Sequence, residues 1–422
     1  MISLQRKEDV ILASKYDVII IGGGASGLFS SILLARRGKS VLLLEKNKIL
    51  GKKLLITGKG RCNVTNNCDA ETVLNNIPRN SKFLYSAVYS FSPSDTMYFF
   101  EELGVPLKTE RGNRVFPVSD DAKDIVKALI NEIKRLGVTV VNKKASEIII
   151  DNNKVVGVKC GDKAFLSDSV IISTGGKSYP KTGSTGDGYK FAEYTGHTVT
   201  DIKPSLVPLE TKQRFPKELM GLSLRNVTLS LWESENKKPV YSELGEMLFT
   251  HFGISGPLVL SASAHMNNLD KKDYYILIDL KPGLDEKALD KRILRDFSDN
   301  PNRNFGNVLK KLLPAKLIPV IIELSGIDAE KKINNISKEQ RKKLVVLLKN
   351  LRIDIKGFRP VDEAIITRGG VNIKEINPGT MESKLISGLY FVGEILDVDG
   401  YTGGFNLQIA FATANLAAQS IE

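Results

Sequence analysis

Cysteine, histidine and uninterrupted apolar sequence are all scarce in this chain. Three cysteines among 422 residues exclude a disulfide framework and suit a reducing compartment, the cytosol. The three histidines, His197, His251 and His265, form no metal-ligand spacing with Cys62, Cys68 and Cys160. No apolar run approaches the ~20 residues of a membrane-spanning helix. The first fourteen residues carry Lys7, Glu8 and Asp9 before a short Val-Ile-Leu-Ala, which does not match a secretory signal and reads as a leader before the first strand. No Ser-His-Asp set or paired carboxylates can be argued from the sequence.

What is present is an ordinary globular composition, 42% hydrophobic and 26% charged. A chain of 422 residues should form two or three domains, since single cores rarely exceed ~250 residues. The net charge of +12 would attract phosphorylated ligands, nucleic acid or anionic membranes. The lysines, however, are spread along the chain and rarely interleave with aromatics, the pattern of a solvated surface. A nucleic-acid partner is therefore not expected; a small-molecule substrate is.

The most informative stretch is Tyr16-Asp17-Val18-Ile19-Ile20-Ile21 running into Gly22-Gly23-Gly24-Ala25-Ser26-Gly27. An apolar strand, a G-x-G-x-x-G turn and a helix-like stretch to Arg37 follow one another, and the next strand, 41–44, ends in Glu45. The first glycine permits the tight turn, the second lets backbone approach a pyrophosphate, and the third lets helix and strand pack closely. The helix N-terminus offers free N–H groups to phosphate. Glu45, eighteen positions after Gly27, suits an adenosine ribose.

Further along, 47–67 is a long glycine- and lysine-rich loop of the kind that binds ligands. Residues 93–104 read as a helix capped by Ser94 or Asp95. In 123–136, Ile125, Leu129, Ile133 and Leu136 share one helical face. Strands are expected over 138–141, 145–150, 155–160 and 170–173, with Asn152-Asn153 as a hairpin turn. After about residue 196, short alternating segments (207–210, 227–232, 238–242, 246–249 and 274–279) predict an antiparallel sheet or small barrel. Helical periodicity dominates 284–350, strand-like alternation returns over 351–367, and 369–422 is again α/β. The expected fold class is therefore α/β. A discontinuous Rossmann-like domain (1–195 and 369–422) carries an inserted antiparallel β-barrel-like module (196–283 and 351–368) and a small helical subdomain (284–350).

Three glycine clusters stand at strand ends: the opening turn, Thr174-Gly175-Gly176, and Gly393-Glu394 followed by Gly403-Gly404-Phe405-Asn406-Leu407-Gln408. Ligands of open parallel sheets bind outside the carboxyl ends of the strands. Three such sites suit a long, two-ended cofactor, and FAD fits better than NAD. These clusters, with 58–66 (Gly-Lys-Gly-Arg-Cys-Asn-Val-Thr-Asn), Gly183-Ser184-Thr185-Gly186-Asp187-Gly188 and 251–257 (His-Phe-Gly-Ile-Ser-Gly-Pro), resemble the BaiN/YhiN-like flavoproteins over the whole chain. That family includes enzymes described as aminoacetone oxidases. The resemblance implies a glutathione-reductase-type FAD domain with an inserted barrel and helical subdomain, noncovalent FAD, and an oxidoreductase role. It implies that Gly22, Gly24, Ala25, Gly27, Glu45 and Lys46 meet the ADP moiety. Gly58, Arg61, Asn63 and Thr65 would line the middle and flavin end. Thr174, Gly175 and Gly176 would pass near the adenine side, and Gly393, Glu394, Gly404, Asn406, Leu407 and Gln408 would approach ribityl and isoalloxazine.

Arg61 would neutralise phosphate or a reduced flavin anion, and a helix starting at 404–406 would do the same at the flavin edge. Cys62 and Cys68 are separated by five residues, where flavin disulfide reductases have four, and no second fingerprint for NAD(P)H follows. Cys62 is thus expected to be a packing residue. Asp187 is expected to cap a helix starting at Gly188. His251, Tyr179 and Tyr401 are candidates for the substrate side, with turn or packing roles as the alternative. The expected function is an FAD-dependent oxidoreductase acting by hydride transfer on a small organic substrate, with NAD(P)H as a transient electron donor. The alternatives are an FAD-dependent RNA-modifying protein and a redox-sensing flavoprotein without turnover.

Overall fold

A computed structural model describes residues 14–267, 269 and 271–422. Apart from Ser14, the leader lies outside the described residues. The chain separates into two compact units, Met1–Ser205 with Val361–Glu422, and Leu206–Pro360.

The first unit is built on a five-stranded parallel sheet in the order Leu389–Phe391, Val170–Ile172, β1 (Val18–Ile21), β2 (Val41–Leu44), Thr139–Val141. In register, Ile20 stands between Ile171 and Leu43. Every residue of β1 and β2 is buried, as expected of parallel strands covered on both faces. Helix α1 (Ala25–Arg36) follows β1 at once, and the last helix, Phe405–Ser420, packs beside it. Neither helix has a one-sided apolar stripe. Both are buried nearly all round, and Phe29 of α1 meets Phe91, Phe99 and Phe411 at 4.7–5.2 Å between ring centres. Such pairs add to the area term of the core.

Amphipathic helix Ala122–Arg135 lies where the apolar spacing put it and is capped by Asp121. Its Glu132 receives Arg135 and Arg36, binding the helix to α1. Hydrogen bonds from Arg135 and Arg36 outweigh burial and bring the Glu132 carboxyl down to about 2. The expected helix at 93–104 runs Pro93–Glu102, but Ser92 is its cap, with Asp95 completing a capping box. Asn152 and Asn153 both adopt positive φ in the tight turn between Glu147–Asp151 and Lys154–Cys160.

His197 is buried in this unit. Its Nδ1 bonds Thr195 Oγ1 at 2.9 Å and its Nε2 bonds Ser383 Oγ at 2.7 Å, with Phe391 against the ring. Burial is the main reason the imidazole pKa lies below its ordinary value. The neutral ring is favoured by folding, so its contribution is present above the unfolded value near 6.5 and is lost as pH falls below it. Urea midpoints of the parent should decline from pH 7 to pH 5. In His197→Gln that segment of the decline should flatten; an unchanged slope would remove His197 as its source.

The second unit is a closed barrel in the order Leu209–Thr211, Gly253–Ser255, Tyr241–Thr250, Ser223–Glu233, Tyr274–Asp279, Leu351–Phe358. The segments 238–242 and 246–249, read as two from their alternation, are one strand. Gly245 between them continues the ladder opposite Val227, beside a bulge in the partner. Helices Glu286–Ser298, Ile318–Ser325 and Lys338–Lys349 occupy the helical stretch. Leu289, Ile321 and Leu344 share one apolar core with barrel residues Leu229, Phe249 and Ile353.

Candidate cofactor site

The three glycine clusters, more than two hundred residues apart at the extremes, meet at the carboxyl ends of the parallel strands. Gly22 turns with φ +108°, and a β-carbon there would lie 2.7 Å from the carbonyl oxygen of Ser173, next to Thr174. At Gly27 a β-carbon would lie 1.8 Å from the Gly22 oxygen, so strand and helix can close only over glycine. Gly393 packs on Ser26, where a β-carbon would stand 2.3 Å from Oγ. Gly176 packs on Thr367 and Glu394. The turns thus form one contiguous surface.

That surface carries unspent donors. The first turn of α1 has neither a capping side chain nor an acidic residue, and Gly24, its N-cap, faces open space. Helix Phe405–Ser420 likewise starts at Gly404 without a capping side chain or an acid. Both ends therefore present N–H groups and partial positive charge. The buried Thr174 hydroxyl has no hydrogen-bond partner. Glu45 is 9% exposed at the end of β2; its Oε2 accepts Gly23 N–H at 2.7 Å and its Oε1 accepts Asn47 N–H at 2.8 Å. Oε1 also accepts Asn47 Nδ2 at 2.7 Å, so the lone pair that remains is on Oε2. A glycine cradle, an acid beside it, two open helix ends and an orphaned hydroxyl suit a two-ended nucleotide such as FAD.

Not every expected residue is free to serve there. Lys46 reaches Asp187 at 2.6 Å and Thr185 at 2.5 Å. Asp187 is the first residue of helix Asp187–Tyr194 rather than its cap, which is Gly186; the carboxylate is turned to Lys46 and Lys144. Burial would raise its pKa, but hydrogen bonds from Lys46, Lys144 and Thr185 win and it falls to about 2. Arg61 lies 4.0 Å over the Phe116 ring, donates to Asp120 at 2.7 Å and pairs with Glu110. Its charge is already matched by two carboxylates. Gly58 turns left-handed in the same loop, and Asn63 Oδ1 accepts Val115 N–H at 3.2 Å.

Asn406 is turned inward to its own loop, receiving Gly400 N–H at 2.9 Å and donating to Gly400 O at 2.8 Å. Leu407 packs against the core. Gln408 is wholly buried: its Oε1 accepts both Thr65 and Thr96 hydroxyls at 2.7 Å, and its Nε2 donates to Phe91 O at 2.8 Å. It fastens the helix start to the strand Thr65–Asn66, where Gly404 leaves only 2.3 Å for a β-carbon against Thr65.

Two groups escaped sequence reasoning. Lys53 Nζ donates to Glu394 Oε2 and Ser178 Oγ, both at 2.6 Å, while Glu394 Oε1 accepts Thr367 N–H at 2.9 Å. Arg79 joins Asp397 at 3.0 Å and Asp399 at 2.9 Å, bracing the loop that leads to Gly403. No spacing rule links residues more than three hundred positions apart.

Cys62, Cys68 and Cys160 are all free thiols. Burial pushes Cys62 up to about 12 and Cys68 up to about 11, so neither is a thiolate near neutrality. Tyr179 holds a left-handed backbone, φ 50°, before Pro180, with Lys53 Nζ 6.0 Å from its ring centre. Tyr401 is partly buried against the core. His251, in the second unit, is an exposed turn residue with its ring against Phe252. Among the described residues no cluster of His, Cys, Asp or Glu could hold a metal ion, and no helix is long and apolar enough to cross a membrane.

The HI0933-like protein Rossmann domain matches residues 16–420. A 3-dehydro-bile acid delta(4,6)-reductase from Clostridium scindens is 32% identical over 406 residues, 95% of this chain and 98% of that protein. A ribosomal RNA dihydrouridine synthase from Haemophilus influenzae is 34% identical over 409 residues, 96% of this chain and 98% of that protein. The fold is also that of a 3-ketosteroid-delta4-(5alpha)-dehydrogenase from Rhodococcus jostii, with a TM-score of 0.50 at 15% identity over 99% of both chains. Fold, strand-end turns and relatives together define a flavin-dependent oxidoreductase. Within that class the chain belongs to the HI0933-like Rossmann-domain family, as its motifs implied.

Proposed function

We propose that this chain is an FAD-dependent reductase that delivers a hydride to a carbon–carbon double bond conjugated to a carbonyl, in the reducing cytosol, with NAD(P)H as the electron donor. The observation that carries it is the convergence of three glycine turns and two uncapped helix ends on one sheet edge. The names of both full-length relatives describe chemistry at such a bond, in a steroid-like acid and in uridine. When bound, FAD would supply the two-electron chemistry.

The chain's own residues supply position and field. Gly22, Gly24, Ala25 and Gly27 would seat the pyrophosphate against the first turn of α1, and Glu45 would accept ribose hydroxyls. Lys46, Thr174, Gly175 and Gly176 would border the adenosine. Gly393, Glu394 and the start of helix Phe405–Ser420 would face the ribityl and flavin end, where the helix end favours negative charge. Gly58, Asn63 and Thr65 would shape the loop beneath. Asn406, Leu407 and Gln408 act by holding that helix end in place, and Arg61 by holding its own loop.

Asn406→Asp tests the field. It puts an anion in the helix's first turn and removes the donors to Gly400 and Tyr401 oxygens. The flavin midpoint potential should fall and FAD should bind more weakly; unchanged values for both would sink this role.

The central experiment is anaerobic stopped-flow absorbance of the purified protein. NADH and NADPH are tested as donors, then a conjugated enone and uridine-containing RNA as acceptors. Bleaching of the flavin band by a nicotinamide and its return with one acceptor is the expected result. A protein without a flavin band that takes up no FAD would overturn the proposal. The dihydrouridine-synthase relative makes RNA the second acceptor to consider.

A further inference from the structure

The Lys53–Glu394 pair stands among all three glycine turns. Gly51 N–H donates to Gly23 O at 2.8 Å, which ties the loop carrying Lys53 to the first turn. A β-carbon at Gly176 would lie 3.0 Å from Glu394 Oε1, and Gly393, next to Glu394, packs on Ser26 in the first turn of α1. The two side chains are 22% and 20% exposed. Ammonium and carboxylate therefore lie on the surface that the turns form, not in the core beneath it.

Their surroundings hold them in place. Ser178 Oγ stands 2.6 Å from Lys53 Nζ and 3.1 Å from Glu394 Oε1, the oxygen that also accepts Thr367 N–H. Thr367 Oγ1 accepts the N–H groups of Lys177 and Ser178 at 2.7 and 3.0 Å, which fixes Ser178 beside the pair. Tyr179, the next residue, keeps its left-handed backbone ahead of Pro180, a costly conformation for an aromatic residue.

Charge at this point is matched one to one. Among the described residues Lys53 and Glu394 have no other ion-pair partner. Elsewhere in the unit, Arg61 and Arg79 each meet two carboxylates, and Asp187 meets two lysines. Glu394 would face the flavin end, where the start of helix Phe405–Ser420 favours negative charge. A bare carboxylate there would oppose that field, and Lys53 cancels it.

We propose that Lys53 is a positioning residue for the flavin: it neutralises Glu394 and so lets the helix-end field set the reduction potential. Lys53 acts through Glu394, which it holds together with Ser178 and Thr367 against Gly176. This role rests on the FAD reading of the site and gives the pair a sign. Removing the cation exposes an anion and disfavours the reduced flavin. Removing the carboxylate exposes a cation and favours it, and removing both restores the balance. One uncompensated charge acting over about 10 Å at an effective dielectric near 20 changes the relative affinity for the two redox states by about tenfold. A two-electron couple reads that change as about 30 mV.

The test is spectroelectrochemical titration of the full-length FAD-loaded protein, with FAD affinity measured beside it. The variants are Lys53→Met, Glu394→Gln, the double variant of the two, and Lys53→Arg. The potential should fall by about 30 mV in Lys53→Met and rise by about as much in Glu394→Gln. The double variant and Lys53→Arg should stay within about twofold of the parent in the affinity ratio, about 10 mV. A merely structural defect weakens the binding of both redox states alike and leaves the potential where it was. Single variants that shift in the same direction, or that do not shift, overturn the proposal. If Lys53→Met retains no flavin, the sign of the Glu394→Gln shift decides: upward supports the role, and none or downward overturns it. A parent protein that takes up no FAD overturns the FAD reading and this role together. A flavin-loaded parent whose single variants keep its potential overturns the role of Lys53 alone.

Discussion

Gly27→Ala should yield a protein that no longer holds FAD. The added methyl would stand 1.8 Å from the Gly22 carbonyl oxygen, a contact with backbone that no rotamer relieves. Either β1 and α1 separate or the turn opens, and both move the N–H groups of Gly24 and Ala25 away from a pyrophosphate. Losing two charge-assisted hydrogen bonds costs about 3 kcal/mol, close to a hundredfold in affinity. Overpacking adds about 1–3 kcal/mol against folding. The measurement is FAD retained per polypeptide after gel filtration, with circular dichroism to separate local from global failure. Gly24→Ala is the comparison, because a β-carbon there meets no atom within 4 Å and α1 should form normally. A Gly27→Ala protein with full flavin occupancy would mean that helix and strand are not closed as described.

The second large effect is expected at Gln408. Leucine in its place would leave the Thr65 hydroxyl and the Phe91 carbonyl facing an apolar side chain in a buried site, and would leave the Thr96 hydroxyl only its longer bond to Ser92 O at 3.3 Å. Each stranded group costs about 1–3 kcal/mol, so a loss of about 3–5 kcal/mol in urea unfolding is expected. The triple variant Thr65→Val/Thr96→Val/Gln408→Leu removes the stranded hydroxyls together and should recover a substantial part, since deleting both partners is far cheaper than deleting one. A loss in the triple equal to the sum of the single losses would show that the three side chains do not act as one network. Because the clasp holds the start of helix Phe405–Ser420, the flavin potential should move in Gln408→Leu even where the protein folds.

The opening turn was legible because its rule is local. A buried strand, glycines at fixed offsets and a helix start lie within twenty residues, and a β-carbon at Gly27 has one steric consequence. Helix Ala122–Arg135 was legible for the same kind of reason, since a 3.6-residue period needs only its own neighbours. Arg61 was read from its loop as a ligand-facing cation. Its carboxylate partners Glu110 and Asp120 come from a hairpin roughly fifty residues on, which no local pattern reveals. The family resemblance implies that Asn406 and Gln408 approach the ribityl and flavin end. The side chains turn inward because the 400–401 loop and the strand Thr65–Asn66 crowd that helix start and supply their hydrogen-bond partners. Asp187 carries a residue type suited to capping, yet Lys46 and Lys144 offer it two cations, a stronger claim than a single N–H.

By itself, the sequence determined what depends on neighbours along the chain: the parallel-strand hydrophobicity, the fingerprint turn, the alternation that builds a barrel, and the scarcity of cysteine and histidine. The tertiary structure decided which residues are spent. The Lys53–Glu394–Ser178 and Arg79–Asp397–Asp399 groups join positions hundreds of residues apart, as does the meeting of Gly22, Gly176 and Gly393 on one sheet edge. Hydrogen bonds and ion pairs act over about 3 Å of space whatever the separation in sequence. The chain names its candidates, and the fold leaves free only those whose donors and acceptors it has not already used.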